Sequence, residues 1–182
     1  MPAGRVTVVN NTIDTDGLRA DLASVSRDAL ASYRERLRLT PNSTALFLGG
    51  VDENKGIDFL LHAAVECAAR LPGFVLLVAG TGRRAHDVEL AEARGLPVRA
   101  LGRVEGADRA LALSAADVLA VPEWIGLVAV DALVAGRPVV STNHASHSPE
   151  REYLTDDTSV FTDHETAAYS QAIAQLLSDP DR

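Results

Sequence analysis

Residues 117–142 constrain this chain more than any other stretch: Asp-Val-Leu-Ala-Val-Pro-Glu-Trp-Ile-Gly-Leu-Val-Ala-Val-Asp-Ala-Leu-Val-Ala-Gly-Arg-Pro-Val-Val-Ser-Thr. Residues 117–121 and 138–140 are short apolar runs, the pattern of parallel strands covered on both faces. Between them, residues 126–135 are apolar on every side except at Asp131, which predicts a helix buried all round. A carboxylate in that setting is costly unless it is paired or faces a polar crevice. Asp131 stands about one and a half turns from a helix N-terminus, whose free N–H groups point past the carboxyl end of the preceding strand. In open α/β sheets ligands bind at that edge.

The same alternation runs through the chain. Strands are predicted at residues 6–10, 44–48, 74–79, 97–101 and 159–161, beside the two already named. Helices are predicted at 18–39, 57–71, 83–94, 105–115 and 165–177, with a short one near 149–154. Such an order calls for an α/β fold: one Rossmann-like domain, a parallel sheet of about six strands joined by right-handed crossovers, and helices on both faces.

Composition narrows the function classes. A net charge of −8 argues against a nucleic-acid footprint, which needs a basic stripe. The single Cys67 rules out a disulfide framework and any multi-cysteine zinc site, in keeping with a reducing, cytoplasmic setting. No apolar run approaches the ~20 residues of a membrane span.

Three motifs compete for the chemistry. Gly80-Thr81-Gly82-Arg83-Arg84-Ala85 follows a strand and opens a helix, so it fits the dinucleotide pattern G-x-G-x-x-A, and Arg103 could suit a 2′-phosphate. The motif nevertheless follows the third strand rather than the first and lacks a ribose-binding acid, so tight-turn chemistry for its glycines is the rival reading. Lys55 follows a glycine-containing loop but lacks the flanking residues of a P-loop. His144 and His147, near Glu150 and Glu152, can be drawn as a metal site, although loop histidines more often make polar contacts.

Taken together, these segments resemble the C-terminal, donor-binding domain of the group-1 family of retaining nucleotide-sugar glycosyltransferases, the GT-B class with two facing Rossmann domains. Val9-Asn10-Asn11-Thr12-Ile13-Asp14 resembles the family's opening strand and turn. Phe47-Leu48-Gly49-Gly50 through Lys55-Gly56 resembles its Gly-Arg-loop-Lys-Gly motif, and Ala79-Gly80-Thr81-Gly82 its Gly-Asp-Gly-Pro turn. Leu101-Gly102-Arg103-Val104 resembles the segment bordering the nucleobase. Most specific are Glu123 and Asp131, set like the family's two glutamates separated by seven residues, followed by Gly136-Arg137-Pro138-Val139-Val140 in place of Gly-x-Pro-Val.

The resemblance implies a nucleoside diphosphate sugar as donor, with no cofactor and no metal ligand from this chain. Asp131 would accept hydrogen bonds from the ribose hydroxyls. Gly126 and the N–H groups of Leu127 and Val128 would meet the diphosphate beside Lys55, while Gly102, Arg103 and Val104 border the base. Glu123 would touch the donor sugar, making Lys55 and Glu123 the catalytic pair. The family's phosphate-binding arginine is replaced by Gly50, five residues before Lys55, and Arg103 is the expected substitute. Residues 1–182 are expected to form the donor half alone, with the N-terminal acceptor domain absent and no transfer by this chain in isolation. A non-catalytic nucleotide-sugar binding module is the alternative.

Overall fold

The computed structural model describes residues 10–179, so all but the last residue of the strand expected at 6–10 lies outside the described residues. Along the chain run α1 (Thr15–Ser24), α2 (Arg27–Leu37), β1 (Thr44–Leu48), α3 (Ile57–Arg70), β2 (Val75–Ala79), α4 (Ala85–Ala93) and β3 (Val98–Gly102). There follow α5 (Gly106–Ala115), β4 (Val118–Ala120), α6 (Val128–Ala135), β5 (Val139–Thr142), β6 (Ser159–Thr162) and α7 (Thr166–Ser178). The six strands form one parallel sheet, as expected, and their order is β3-β2-β1-β4-β5-β6. No helix of the described residues is long and apolar enough to cross a membrane.

Strand residues alternate between two apolar layers, because successive side chains point to opposite faces of a pleated sheet. Phe47, Leu76, Val78 and Val140 pack with α3, α4 and α7 on one face. Leu46, Leu77, Leu119 and Val139 pack with α1, α5 and α6 on the other. Both faces are therefore dry, which explains why the strands read as continuous apolar runs. Cys67 lies buried under α7, where burial pushes its thiol up to about 12 and leaves it inert.

Two local predictions need correction. The helix expected over 18–39 is two helices, broken at Val25 and Ser26. Ser26 takes an extended conformation and its hydroxyl accepts from Ala29 N, so a cap starts a new helix where apolar periodicity alone reads straight through. Helix α6, expected to be buried all round, leaves Leu133 40% exposed. It lies on the sheet with one side only, and α1 covers a further part.

Caps and side-chain ties hold the helices and strands in place. Asp14, in the segment before α1, accepts from Gly17 N and caps that helix. Asp117 accepts from the N–H groups of Ser43 and Thr44, both at 3.0 Å, holding the start of β4 against the start of β1. Gly136 closes α6 in the left-handed conformation at φ 62°, the usual glycine stop.

Candidate functional site

The carboxyl ends of β1, β2 and β3 and the N-terminus of α6 enclose a cleft of ≈ 410 Å³. Parallel strands explain the convergence, since all their carboxyl ends open on one edge. The lining includes Gly50, Lys55, Arg103, Val104, Gly126, Leu127, Val128 and Asp131, drawn from three loops and the first turn of α6. Gly102 and Glu123, expected with them, are not part of it. Gly102 spends its carbonyl on Gly80 N at 2.7 Å, fastening β3 to the loop after β2. The Glu123 carboxylate accepts from or faces His164 Nε2 at 2.9 Å.

The floor of the cleft gathers groups whose charge and open valence suit an anion. Helix α6 has no side-chain cap, and the N–H groups of Gly126, Leu127 and Val128 carry no backbone hydrogen bond among the described residues. Unpaired amides at a helix start carry partial positive charge and suit an anion. Lys55 stands beside them, its Nζ donating to Trp124 O at 2.9 Å with the indole centroid 5.9 Å away. Trp124 reaches that position only by adopting φ 48°, an unusual conformation for a bulky side chain. Burial lowers the Lys55 pKa, opposed by the carboxylates of Asp52 and Glu150.

The side wall holds a residue the sequence reading missed. Arg109 of α5 forms an ion pair with Asp131, Nη2 on Oδ1. Both line the cleft. The clue was present in the pattern: Asp131 is the lone charge of an apolar helix, and Arg109 precedes Ala110, Ala112 and Leu113, which are fully buried. A lone acid on one apolar helix and an arginine on the neighbouring helix, next to a run of buried apolar residues, are natural partners. Arg103, the expected substitute cation, lines the cleft but turns its guanidinium to Glu105, at 2.5 and 2.8 Å, with its side chain 73% exposed.

The pair His144 and His147, drawn as ligands of one metal, is divided by the structure. His147 Nδ1 accepts from Ile125 N at 3.1 Å, and its Nε2 lies 2.7 Å from Thr142 O. With both ring nitrogens on backbone, it pins the loop after β4 to the end of β5. Burial lowers its pKa, in keeping with a neutral ring in that role.

Residues 42–179 match the family described as glycosyl transferases group 1. The chain belongs to that family. It is 32% identical to the D-inositol 3-phosphate glycosyltransferase of Rhodococcus jostii over 94% of this chain and 41% of that protein. It is 29% identical to the GDP-mannose-dependent alpha-(1-6)-phosphatidylinositol monomannoside mannosyltransferase of Mycobacterium tuberculosis, over 100% of this chain and 49% of that protein. The chain thus spans less than half the length of these relatives. In fold it is similar to Anabaena Alr3699/HepE, solved in complex with UDP-glucose, at a TM-score of 0.74 and 22% identity over 96% of this chain and 48% of that one.

Membership in the group 1 glycosyltransferases replaces the dinucleotide reading of Gly80-Thr81-Gly82. In this chain those glycines serve the turn, since a Cβ at Gly82 would lie 2.3 Å from Val51 O.

Proposed function

We propose that this chain is the donor-binding half of a retaining glycosyltransferase, which takes its sugar from a nucleoside diphosphate sugar and passes it to a glycan, lipid or small-molecule acceptor. The observation that carries the reading is the meeting of Lys55 with the open amides of α6 at the floor of one cleft. A diphosphate seated there exchanges the Lys55 contact to Trp124 O for a charged one. Stabilising a departing diphosphate with a fixed cation and oriented amides is the kind of electrostatic work that lowers a transfer barrier. Asp131, held by Arg109, stands one to two turns along the same helix, where it serves the ribose; Val104 and Arg103 border the base. Glu123 lies outside the cleft lining, its carboxylate on His164. That two of the related proteins are named for GDP-mannose or solved with UDP-glucose supports a nucleotide-sugar donor.

Calorimetric titration with UDP-, GDP- and ADP-sugars, and with NADP as control, tests the reading. One nucleoside diphosphate sugar is expected to bind in preference to NADP. Lys55→Ala is expected to weaken it at least tenfold, or about 1.4 kcal/mol, the lower end for a hydrogen bond between charged groups. Binding of none of these sugars, or full affinity in Lys55→Ala, would overturn the placement of the phosphates.

Gly50 offers a gain-of-function counterpart. Its φ is not positive, and a Cβ there meets only Asp52 Oδ2 at 3.2 Å. Gly50→Arg is therefore expected to fold and to tighten the same donor about tenfold, because a guanidinium fork can take two phosphate oxygens. Measured affinities of Gly50→Arg and Arg103→Ala decide which cation the site lacks: a loss in Arg103→Ala with no gain in Gly50→Arg would return that role to Arg103.

A further inference from the structure

We infer that Glu123, His144 and His164 form a binding site for a first-row divalent transition metal of the zinc type. The site follows from topology. Strands β4, β5 and β6 are neighbours in the sheet, paired in parallel with Ala120 opposite Val140 and Thr142 opposite Thr162. Glu123 stands three residues past the end of β4, His144 two past β5 and His164 two past β6. Three consecutive strands thus each deliver one ligand-bearing side chain to the same edge.

The side chains meet there. Their candidate ligand atoms all lie within 4.8 Å of one another, and Glu123 Oε1 is 2.9 Å from His164 Nε2. The rings of His144 and His164 have centroids 5.0 Å apart, and Phe59 packs on His164 at 4.5 Å. His144 Nδ1 lies 2.6 Å from Ser146 Oγ, which leaves Nε2 as the nitrogen free for an ion. Ser146 N also approaches that Nδ1, at 3.4 Å, so the Ser146 turn fixes the orientation of the ring.

The donor set selects the ion. Two imidazoles and one carboxylate are the protein ligands of an open zinc site, and imidazole suits zinc, cobalt, nickel and copper better than magnesium or calcium. Bonds of about 2.0–2.2 Å in tetrahedral geometry place ligand atoms roughly 3.4 Å apart. Reaching that spacing takes only a modest side-chain rotation, and His164 is exposed enough to make it. Charge points the same way. The Glu123 side chain is only 16% exposed, yet no lysine or arginine pairs with it among the described residues. Beyond its contact with His164, a bound cation would supply the fixed positive charge that such a carboxylate favours.

This site adjoins the anion floor, since Glu123 lies against Gly56 beside Lys55, but metal uptake measured without nucleotide tests it apart from the donor reading. It departs from the expectation that the chain supplies no metal ligand. The test is to strip the purified chain of metal and titrate it with Zn²⁺ by calorimetry and with Co²⁺ by visible absorption. One ion per chain is expected, with the intense bands of four-coordinate Co²⁺. His144→Ala, His164→Ala and Glu123→Gln are each expected to weaken Zn²⁺ binding by at least about tenfold, whereas His86→Ala, on the exposed side of α4, leaves it unchanged. Circular dichroism confirms folding, and the solvent exposure of His164 makes its variant safe to read. Absence of saturable uptake, or affinity unchanged in both His144→Ala and His164→Ala, overturns the proposal.

Discussion

Arg109→Leu is expected to destabilise the ligand-free fold by about 3 kcal/mol, and Asp131→Asn by about 1–2 kcal/mol. Breaking a fully buried ion pair costs about 3–5 kcal/mol, because one charge is stranded without water or partner. The lower end applies here, since the Arg109 side chain is 28% exposed while that of Asp131 is 9% exposed. The same asymmetry sets the order of the two variants. Without Arg109, the Asp131 carboxylate stays inside an apolar helix on the sheet. Without Asp131, the guanidinium can reach the solvent of the cleft. The double variant is expected to lose less than the sum, because neither orphan remains. Urea denaturation of the four proteins measures this directly; equal losses in the two single variants would contradict the burial argument. Repeating the melts with the bound donor separates structure from recognition. A role for Asp131 at the ribose requires Asp131→Asn to lose affinity beyond its loss of stability, by about 1.5–3 kcal/mol.

That ion pair also marks where sequence reading reaches its limit. The strands were legible because a sheet covered on both faces leaves no polar alternation, so residues such as Leu76-Leu77-Val78 announce themselves. The floor of the cleft was legible too, since Gly126, Leu127 and Val128 open a helix directly after a strand. Arg109 was not. Its meaning depends on Asp131 lying across a helix-to-helix contact, 22 residues along the chain, and no local spacing encodes that. Arg103 looked better in sequence because it directly follows β3, yet Glu105 two residues on claims its guanidinium. For Glu123 the motif fixed the residue but not its surroundings, which come from the loops after β5 and β6. The break at Ser26 was missed for a different reason: Leu22, Val25 and Leu30 preserve apolar spacing through a cap that only backbone geometry reveals.

The heaviest single loss is expected at Gly80, where the loops that shape the cleft come closest. Gly49 N donates to Ala79 O at 3.0 Å, and Gly80 N donates to Gly102 O at 2.7 Å, so the exits of β1, β2 and β3 are fastened in series. That fastening brings Gly80 against the Gly49 carbonyl. A Cβ at Gly80 would lie 1.7 Å from Gly49 O, and the backbone φ of +153° is one that side-chain-bearing residues rarely adopt. A flexible side chain could swing aside, but a peptide carbonyl in the sheet edge cannot move without pulling on both bonds. Gly80→Ala is therefore expected to lose about 3–5 kcal/mol, the upper range for one substitution, and to lower Tm by roughly 10 °C at ~2–4 °C per kcal/mol for a domain of this size. Gly102→Ala is the matched control. It also has positive φ, at +65°, but nothing lies within 4 Å of its Cβ position, so only the left-handed penalty of about 1–2 kcal/mol applies. The difference between the two melts isolates the steric part. Equal losses would mean that the β1 and β2 exits do not approach as closely as described, and the cleft they enclose would then be wider than 410 Å³.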